Sequence, residues 1–248
     1  YSLSPVMHAH WLAQHGIEGR YDLWPIEETG VRAFILALQN RGVHGCNVTI
    51  PHKRAVVGLM DECSPEAVAV NAVNTICFLP DGRKKGYNTD ISGFRNDFSN
   101  LIGKSGAPEK ALLLGAGGAA SAVIAALREA YPSLRLTVAA RKKPKEEKLS
   151  YVPWNEINDA VGDMDALINA TPLGKKDAGE IGLDWTKIKA SAFLYDLNYH
   201  AQETALVHNA REKGLKACDG LGMLARQAQE AFRLWTNVLP SVNEEFIA

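Results

Sequence analysis

The chain has almost no net charge, few cysteines and no long apolar run, and each shortage removes a class of function. Lysine and arginine number 27 against 28 aspartates and glutamates, a formal net charge of −1. So close a balance makes no long-range field to gather nucleic acid or an anionic membrane, and neither partner is expected. No stretch approaches the ~18 consecutive apolar residues of a membrane span, and nothing at the start reads as a secretory signal. The four cysteines, Cys46, Cys63, Cys77 and Cys218, contain no Cys-x-x-Cys pair. Buried, reduced thiols in a cytoplasmic protein are therefore expected. The seven histidines lack metal-ligand spacing. His8 and His10 are two apart, which turns them to different sides of a helix, and no metal site is expected.

What is present is an ordinary globular composition, 46% apolar and 22% charged over 248 residues, enough for one large domain or two modest ones. The halves read differently. Up to about residue 87 the pattern predicts a helix over 5–15, a short strand over 21–25 and an amphipathic helix over 31–40. A strand over 46–50, a helix over 53–60 and a strand over 72–79 follow, with a Pro80-Asp81-Gly82 hairpin turn into a return strand near 85–87. Beyond about residue 90, strands are predicted over 110–114, 134–139, 165–169, 193–196 and 216–218, separated by helices or loops. Strands alternating with crossovers imply a parallel sheet covered on both faces. A last helix over 220–236 carries Leu224, Ala228, Phe232 and Trp235 as its apolar stripe. No internal repeat is found, and low complexity is confined to residues 141–148.

The most informative segment is Gly45-Cys46-Asn47-Val48-Thr49-Ile50-Pro51-His52-Lys53. In a strand, alternation puts Asn47 and Thr49 on one face and Val48 and Ile50 on the other. Pro51 ends the strand, and Lys53 follows on the first turn of a helix. Two hydrogen-bonding groups and an ammonium converge there, which suits a small polyhydroxylated ligand as well as it suits a plain strand edge with an exposed lysine. Asn88-Thr89-Asp90 precedes a helix over 91–101. Asp90 fits two roles, a helix N-cap or a carboxylate that orients Lys53. Asn74 fits a donor to the same ligand or a turn residue.

A second constellation lies in the other half. The apolar strand ending at Leu114 runs into Gly115-Ala116-Gly117-Gly118-Ala119-Ala120 and an Ala-rich helix, the context of a dinucleotide-binding turn. Gly115 permits the tight turn, Gly117 the close approach of a pyrophosphate, and Ala120 close helix–strand packing. The next strand ends in Ala139-Ala140-Arg141-Lys142-Lys143, where an NAD enzyme would carry an acidic residue. Basic residues suit a 2′-phosphate, so NADP is expected, although Lys143, Lys145 and Lys148 also fit a solvated lysine loop. Asn169-Ala170-Thr171-Pro172-Leu173-Gly174 follows a strand at the end where open parallel sheets bind ligands, and is expected beside the nicotinamide.

Together these motifs resemble the shikimate dehydrogenase family over essentially the whole chain. Ser2-Leu3-Ser4-Pro5 resembles its Ser-x-Ser-Pro, Asn47 to Lys53 its substrate strand, Ala72-Val73-Asn74-Thr75 its ring-hydroxyl segment and Asn88-Thr89-Asp90 its catalytic aspartate segment. Asp196-Leu197-Asn198-Tyr199 is similar to its Asp-x-x-Tyr, and Gly222 to Gln227 to its Gly-Met-Leu-x-x-Gln. The resemblance implies an α/β fold of two domains: an N-terminal α/β substrate domain (1–89 with 222–248) and a Rossmann-like, doubly wound parallel-sheet NADP domain (90–221). It implies hinges near 88–105 and 220, with substrate in the cleft. It also implies NADP-linked interconversion of 3-dehydroshikimate and shikimate in aromatic amino-acid biosynthesis, with Lys53 and Asp90 catalytic. Substrate would be bound by Ser2, Ser4, Asn47, Thr49, Asn74, Tyr199 and Gln227. Cofactor would be bound by Gly115, Ala116, Gly117, Gly118, Ala119, Arg141, Lys142, Asn169, Thr171, Pro172, Gly220 and Met223. Quinate, or a silent NADP-sensing module, is the alternative, and monomer and homodimer both fit. Four departures stand out. A strand usually precedes Ser-x-Ser-Pro, so either residues are missing here or the substrate domain is one strand short. His200-Ala201 replaces Asn-Pro, Ala140 replaces Asn, and Lys142 stands where a small hydroxyl residue is common.

Overall fold

Two sheets of different character organise the chain, as its two halves suggest. The structure is a computed structural model that describes residues 2–144, 149–174, 178–200 and 202–242. Lys145, Lys148 and Ala201, named above, lie outside the described residues. The chain divides into two units, Tyr1–Gly93 with Leu224–Ala248, and Phe94–Met223.

The first unit opens with α1 (Ser4–Gln14), which has Pro5 in its first turn, where a missing N–H costs nothing. The amphipathic α2 (Val31–Gln39) buries Val31, Ile35 and Leu38. Strand β1 (Gly45–Asn47) is followed by β2 (Glu62–Cys63), α3 (Pro65–Val70), β3 (Thr75–Phe78) and β4 (Lys84–Tyr87). The sheet order is β1-β3-β4-β2, antiparallel except between β2 and β4. The β3–β4 hairpin turns at Pro80-Asp81-Gly82 as expected, with Gly82 at φ +85° and the Asp81 carboxylate accepting from the Arg83 N–H at 3.0 Å. Val48, Val56, Ala67, Val73 and Ile76 form one core of this unit.

Three expectations fail here. Residues 21–25 join no ladder among the described residues. The strand predicted over 46–50 stops at Asn47, so Val48 is buried but Ile50 is 75% exposed. The helix predicted over 53–60 is a run of turns ending in a 3-10 turn, Val57–Leu59. The reason is a bond from another segment. The Lys53 carbonyl accepts from Val73 N at 2.8 Å, and Val57 N turns to Arg54 O at 3.3 Å. The first i→i−4 bond of a helix starting at Lys53 therefore cannot form. Helix α3 is an addition to the expected elements, although Ser64 caps it by accepting from Ala67 N and Pro65 opens it.

In the second unit α4 (Thr89–Ile102), which starts in the first, leads to β5 (Lys110–Leu114), α5 (Gly118–Ala130) and β6 (Arg135–Ala140). Next come β7 (Ser150–Pro153), α6 (Ile157–Ala160), β8 (Ala166–Asn169), β9 (Phe193–Asp196), α7 (Ala205–Glu212) and β10 (Lys216–Cys218). All six strands are parallel in the order β10-β9-β8-β5-β6-β7. That is the doubly wound order, with its switch point between β5 and β8. Leu112, Leu113, Leu114, Leu167 and Ile168 are at most 1% exposed, as a sheet covered on both faces requires. Strand β7 is a further addition. It lies at the sheet edge and ends in Pro153, which an interior strand would not accept. The last helix, α8 (Leu221–Thr236), returns the chain to the first unit, where Ala225, Ala228 and Phe232 pack against Met7 and Trp11 of α1.

Candidate active site

Around Lys53 the first unit closes a hydrogen-bond network. Val48 N donates to Asn74 O at 2.8 Å, prolonging the β1 pairing by one bond, and Val73 N holds the Lys53 carbonyl. The backbones of the two polar segments are thus clipped together. Lys53 Nζ donates to Asp90 Oδ2 at 2.7 Å, with side chains 28% and 16% exposed. Asn74 Nδ2 donates to Asp90 Oδ1 at 2.9 Å. Helix α4 already begins at Thr89, so Asp90 is not its N-cap but lies in the first turn, where a carboxylate complements the helix dipole.

Asn74 is buried and fully engaged. Its Oδ1 accepts from Thr89 N at 2.8 Å and from Thr75 Oγ1 at 3.0 Å. Gln227, on α8, is 9% exposed, and its Oε1 accepts from Thr89 Oγ1 at 3.5 Å. Asn47 Nδ2 donates to Asn74 O at 3.2 Å and Thr75 Oγ1 at 3.0 Å. Thr49 is exposed. Ser2 and Ser4 are half-buried, and Ser2 Oγ accepts from Ser4 N at 3.3 Å. The fold of the first unit thus brings Lys53, Asp90, Asn74, Asn47 and Gln227 into one connected group. Thr75 and Thr89 join it as buried links that the sequence does not single out. Their place is legible only once β3 and the start of α4 are known to adjoin. Tyr199 belongs to the second unit, where burial raises its pKa.

The second unit builds its own site at the sheet switch point. Gly115 has φ +106°, and a Cβ there would stand 2.9 Å from Thr171 Cγ2, so the turns after β5 and β8 touch at a place only glycine fits. Cβ atoms at Gly117 and Gly118 would meet nothing within 4 Å, which leaves the backbone open to a ligand. Ala116 and Ala119 are exposed, while Ala120 is fully buried against the sheet. Gly117, the extended N-cap of α5, supplies no side-chain cap, so the first-turn N–H groups face outward unpaired by it. A diphosphate fits this cradle. Arg141 and Lys142 are exposed at the carboxyl end of β6. Asn169 spends its whole amide on its own loop and on the end of β9: Nδ2 donates to Leu173 O at 3.0 Å and Asp196 Oδ1 at 2.9 Å. Its Oδ1 accepts from Thr171 N at 3.0 Å and Thr171 Oγ1 at 2.7 Å. Pro172 is exposed on that braced loop. Gly220 lies so close to Leu197 O that no side chain fits, and Met223 is half-buried on α8.

Comparison with known proteins gives the family. A family model described as the shikimate dehydrogenase substrate binding domain matches residues 1–76, and one described as the shikimate 5'-dehydrogenase C-terminal domain matches 220–244. A shikimate dehydrogenase (NADP(+)) of Methylobacterium radiotolerans is 39% identical over 99% of this chain and 90% of the relative. The chain belongs to the shikimate dehydrogenase family. Among solved structures, the shikimate 5-dehydrogenase of Thermus thermophilus in complex with NADP(H) and shikimate is 37% identical with a TM-score of 0.83. The match covers 97% of this chain and 90% of that one. The quinate dehydrogenase of Corynebacterium glutamicum in complex with NAD is 29% identical with a TM-score of 0.88, covering 97% and 91%. Asp90 falls between the two family-model matches, so its partnership with Lys53 rests on the geometry above. No helix among the described residues is long and apolar enough to cross a membrane.

Proposed function

We propose that this chain is an NADP-dependent dehydrogenase that interconverts 3-dehydroshikimate and shikimate in aromatic amino-acid biosynthesis. The observation that carries the reading is the Lys53–Asp90 pair, 2.7 Å apart and braced by Asn74. A secondary alcohol and its ketone differ by a hydride on carbon and a proton on oxygen. The hydride is the chemistry that a nicotinamide supplies when bound, and the proton falls to this chain. Lys53 Nζ has three N–H groups and gives one to Asp90, leaving two for a substrate oxygen. In reduction, the ammonium stabilises the charge growing on that oxygen and hands over a proton. In oxidation, the amine takes it back. Asp90 holds the lysine in place, and Asn74 and the first turn of α4 hold Asp90.

Substrate is assigned to Ser2, Ser4, Thr49, Gln227 and Tyr199, while Asn47 and Asn74, whose amide hydrogens are spent within the group around Lys53, hold that group in shape. The hydroxyls serve the carboxylate and the Gln227 amide, which gives one N–H to Leu224 O and keeps the other, serves a ring hydroxyl. Cofactor is assigned to the Gly115–Ala119 cradle for the diphosphate and to Arg141 and Lys142 for the 2′-phosphate. Thr171 and Pro172, on the loop that Asn169 braces, and Gly220 and Met223 complete the assignment. The cytoplasm is the assigned compartment, in keeping with Cys46, Cys63, Cys77 and Cys218 standing as free thiols.

The test is nicotinamide absorbance with shikimate and quinate, each against NADP and NAD. Turnover with shikimate and NADP alone supports the assignment. Turnover of quinate, the substrate named for the Corynebacterium relative, would replace the substrate but keep the Lys53 chemistry. NADP binding with no turnover of any pair would point to the silent sensing module.

A further inference from the structure

Tyr21 stands in the irregular segment between α1 and α2, where no strand pairing holds it, yet its side chain is fixed at both ends. Its ring lies flat on the His8 imidazole, with centroids 4.3 Å apart and planes 2° from parallel. His8 is 2% exposed and is also packed by Trp11, Phe232 and Trp235, at centroid distances of 5.5, 6.0 and 5.4 Å. Burial lowers the His8 pKa to about 3, so at neutral pH it offers Tyr21 an uncharged aromatic face. Burial likewise pushes Tyr21 up to about 12, which keeps its phenol protonated and able to donate.

That phenol donates to Asn47 Oδ1 at 2.8 Å, and the Ser4 side chain is near enough to act on it, in the direction that lowers its pKa. From Asn47 the line continues without a break. Asn47 Nδ2 donates to Thr75 Oγ1, Thr75 Oγ1 to Asn74 Oδ1, and Asn74 Nδ2 to Asp90 Oδ1, the partner of Lys53. Both Asn47 amide hydrogens are spent within the protein, on Thr75 and on Asn74 O, so Asn47 has no N–H left for a ligand. It acts as a strut, and Tyr21 decides which way the strut faces.

We propose that Tyr21 is a positioning residue of the substrate site: its hydroxyl fixes the amide of Asn47 and the place of Ser4, and so sets where Ser4 meets the carboxylate of a cyclic hydroxy acid and how Asn74 holds Asp90 against Lys53. The role rests on the dehydrogenase reading above. Groups held in their bound geometry lose little freedom when substrate arrives, so the benefit appears in substrate affinity.

Tyr21→Phe keeps the stack on His8 and deletes only the O–H. Steady-state kinetics with shikimate varied at saturating NADP, and then the reverse, are the measurement. The expected result is a shikimate KM raised about tenfold, from the lost hydrogen bond to Asn47 and the freed Ser4. The fall in kcat should be much smaller and the NADP KM unchanged. Combined with Asn47→Ala, the loss should be less than the product of the single effects, because both cut one line. A shikimate KM within about twofold of wild type, or a product of independent effects, overturns the role. Equal changes in both KM values, together with a lowered melting temperature, would mark a merely structural tyrosine and overturn it too. If Tyr21→Phe does not fold, Asn47→Ser, which shortens the strut, must give the same split between the two KM values, and its absence is equally fatal. Wild type runs in the same assay. A wild type inert towards shikimate would sink the function and this role with it, whereas an active wild type with an unaltered variant sinks only the role.

Discussion

At the scale of single residues, the chemistry rests on a few groups whose surroundings fix their charge or direction. Lys53 is braced rather than free, so its loss should be felt in turnover and not in cofactor affinity. Lys53→Ala is expected to lower kcat by ~10²–10⁴-fold while the NADP dissociation constant, read by fluorescence titration, stays at the wild-type value. Equal losses in both would remove Lys53 from the proton step. His8 makes a prediction about stability. Its folded pKa is about 3, against an ordinary 6.5, because burial penalises the charged ring. Below pH 6.5 the unfolded chain therefore binds a proton that the folded chain refuses. Stability from this group is intact above 6.5 and declines as pH falls towards 3, at about 1.4 kcal/mol per pH unit. Between pH 6.5 and 5 the loss is about 2 kcal/mol, and His8→Phe should abolish it. Urea unfolding of the two proteins at both pH values is the check. An unchanged acid sensitivity in His8→Phe would mean that His8 is not buried neutral.

The element scale shows why glycine and aromatic residues fall where they do. Helix α8 docks on β1 and β3 through Trp235, whose Nε1 donates to Ile76 O at 3.0 Å across the bare backbone of Gly45. A Cβ at Gly45 would overlap both the indole nitrogen and the Ile76 carbonyl. Gly45→Ala should therefore push α8 off the sheet and cost about 1–3 kcal/mol, the usual range for overpacking. Chemical denaturation reads it directly, and an unshifted midpoint would show that Trp235 has room to give. Gly45 opens the motif that carries Lys53, yet the demand for glycine there comes from a helix nearly two hundred residues away. Sequence inspection cannot see such a constraint. The same limit explains the failed helix over 53–60. Its composition allows a helix, but a hydrogen bond from Val73 takes the carbonyl that the first turn needs. Helix α3, by contrast, carries a legible cap in Ser64-Pro65 and needs only to be read.

For the whole molecule, the two units hold different candidate groups: one contains the Lys53–Asp90 pair and the other the Gly115–Ala119 turn. Ligands should accordingly protect different amides from hydrogen exchange. NADP at 100 times its dissociation constant should stabilise the protein by about 2.7 kcal/mol and slow exchange at Gly117–Ser121, Arg141 and Thr171. Shikimate should slow exchange around Lys53, Asn74 and Asp90. Protection of none of these three places by NADP would dismiss the cradle. The parallel sheet, the glycine turn and the basic end of β6 are all readable in advance, because each depends on residues adjacent in the chain: an apolar run, a turn that needs φ > 0, a charge at a strand end. Lys53, Asp90 and Asn74 are readable as residue types in a recognisable order. Their partnership is not, because it joins residues up to 37 apart in sequence. The edge strand β7, the turns after Pro51, the bracing of Asn169 and the seat of Tyr21 on His8 are decided only in three dimensions. There, which carbonyl, edge or ring face is still available depends on what the rest of the chain has already packed against it.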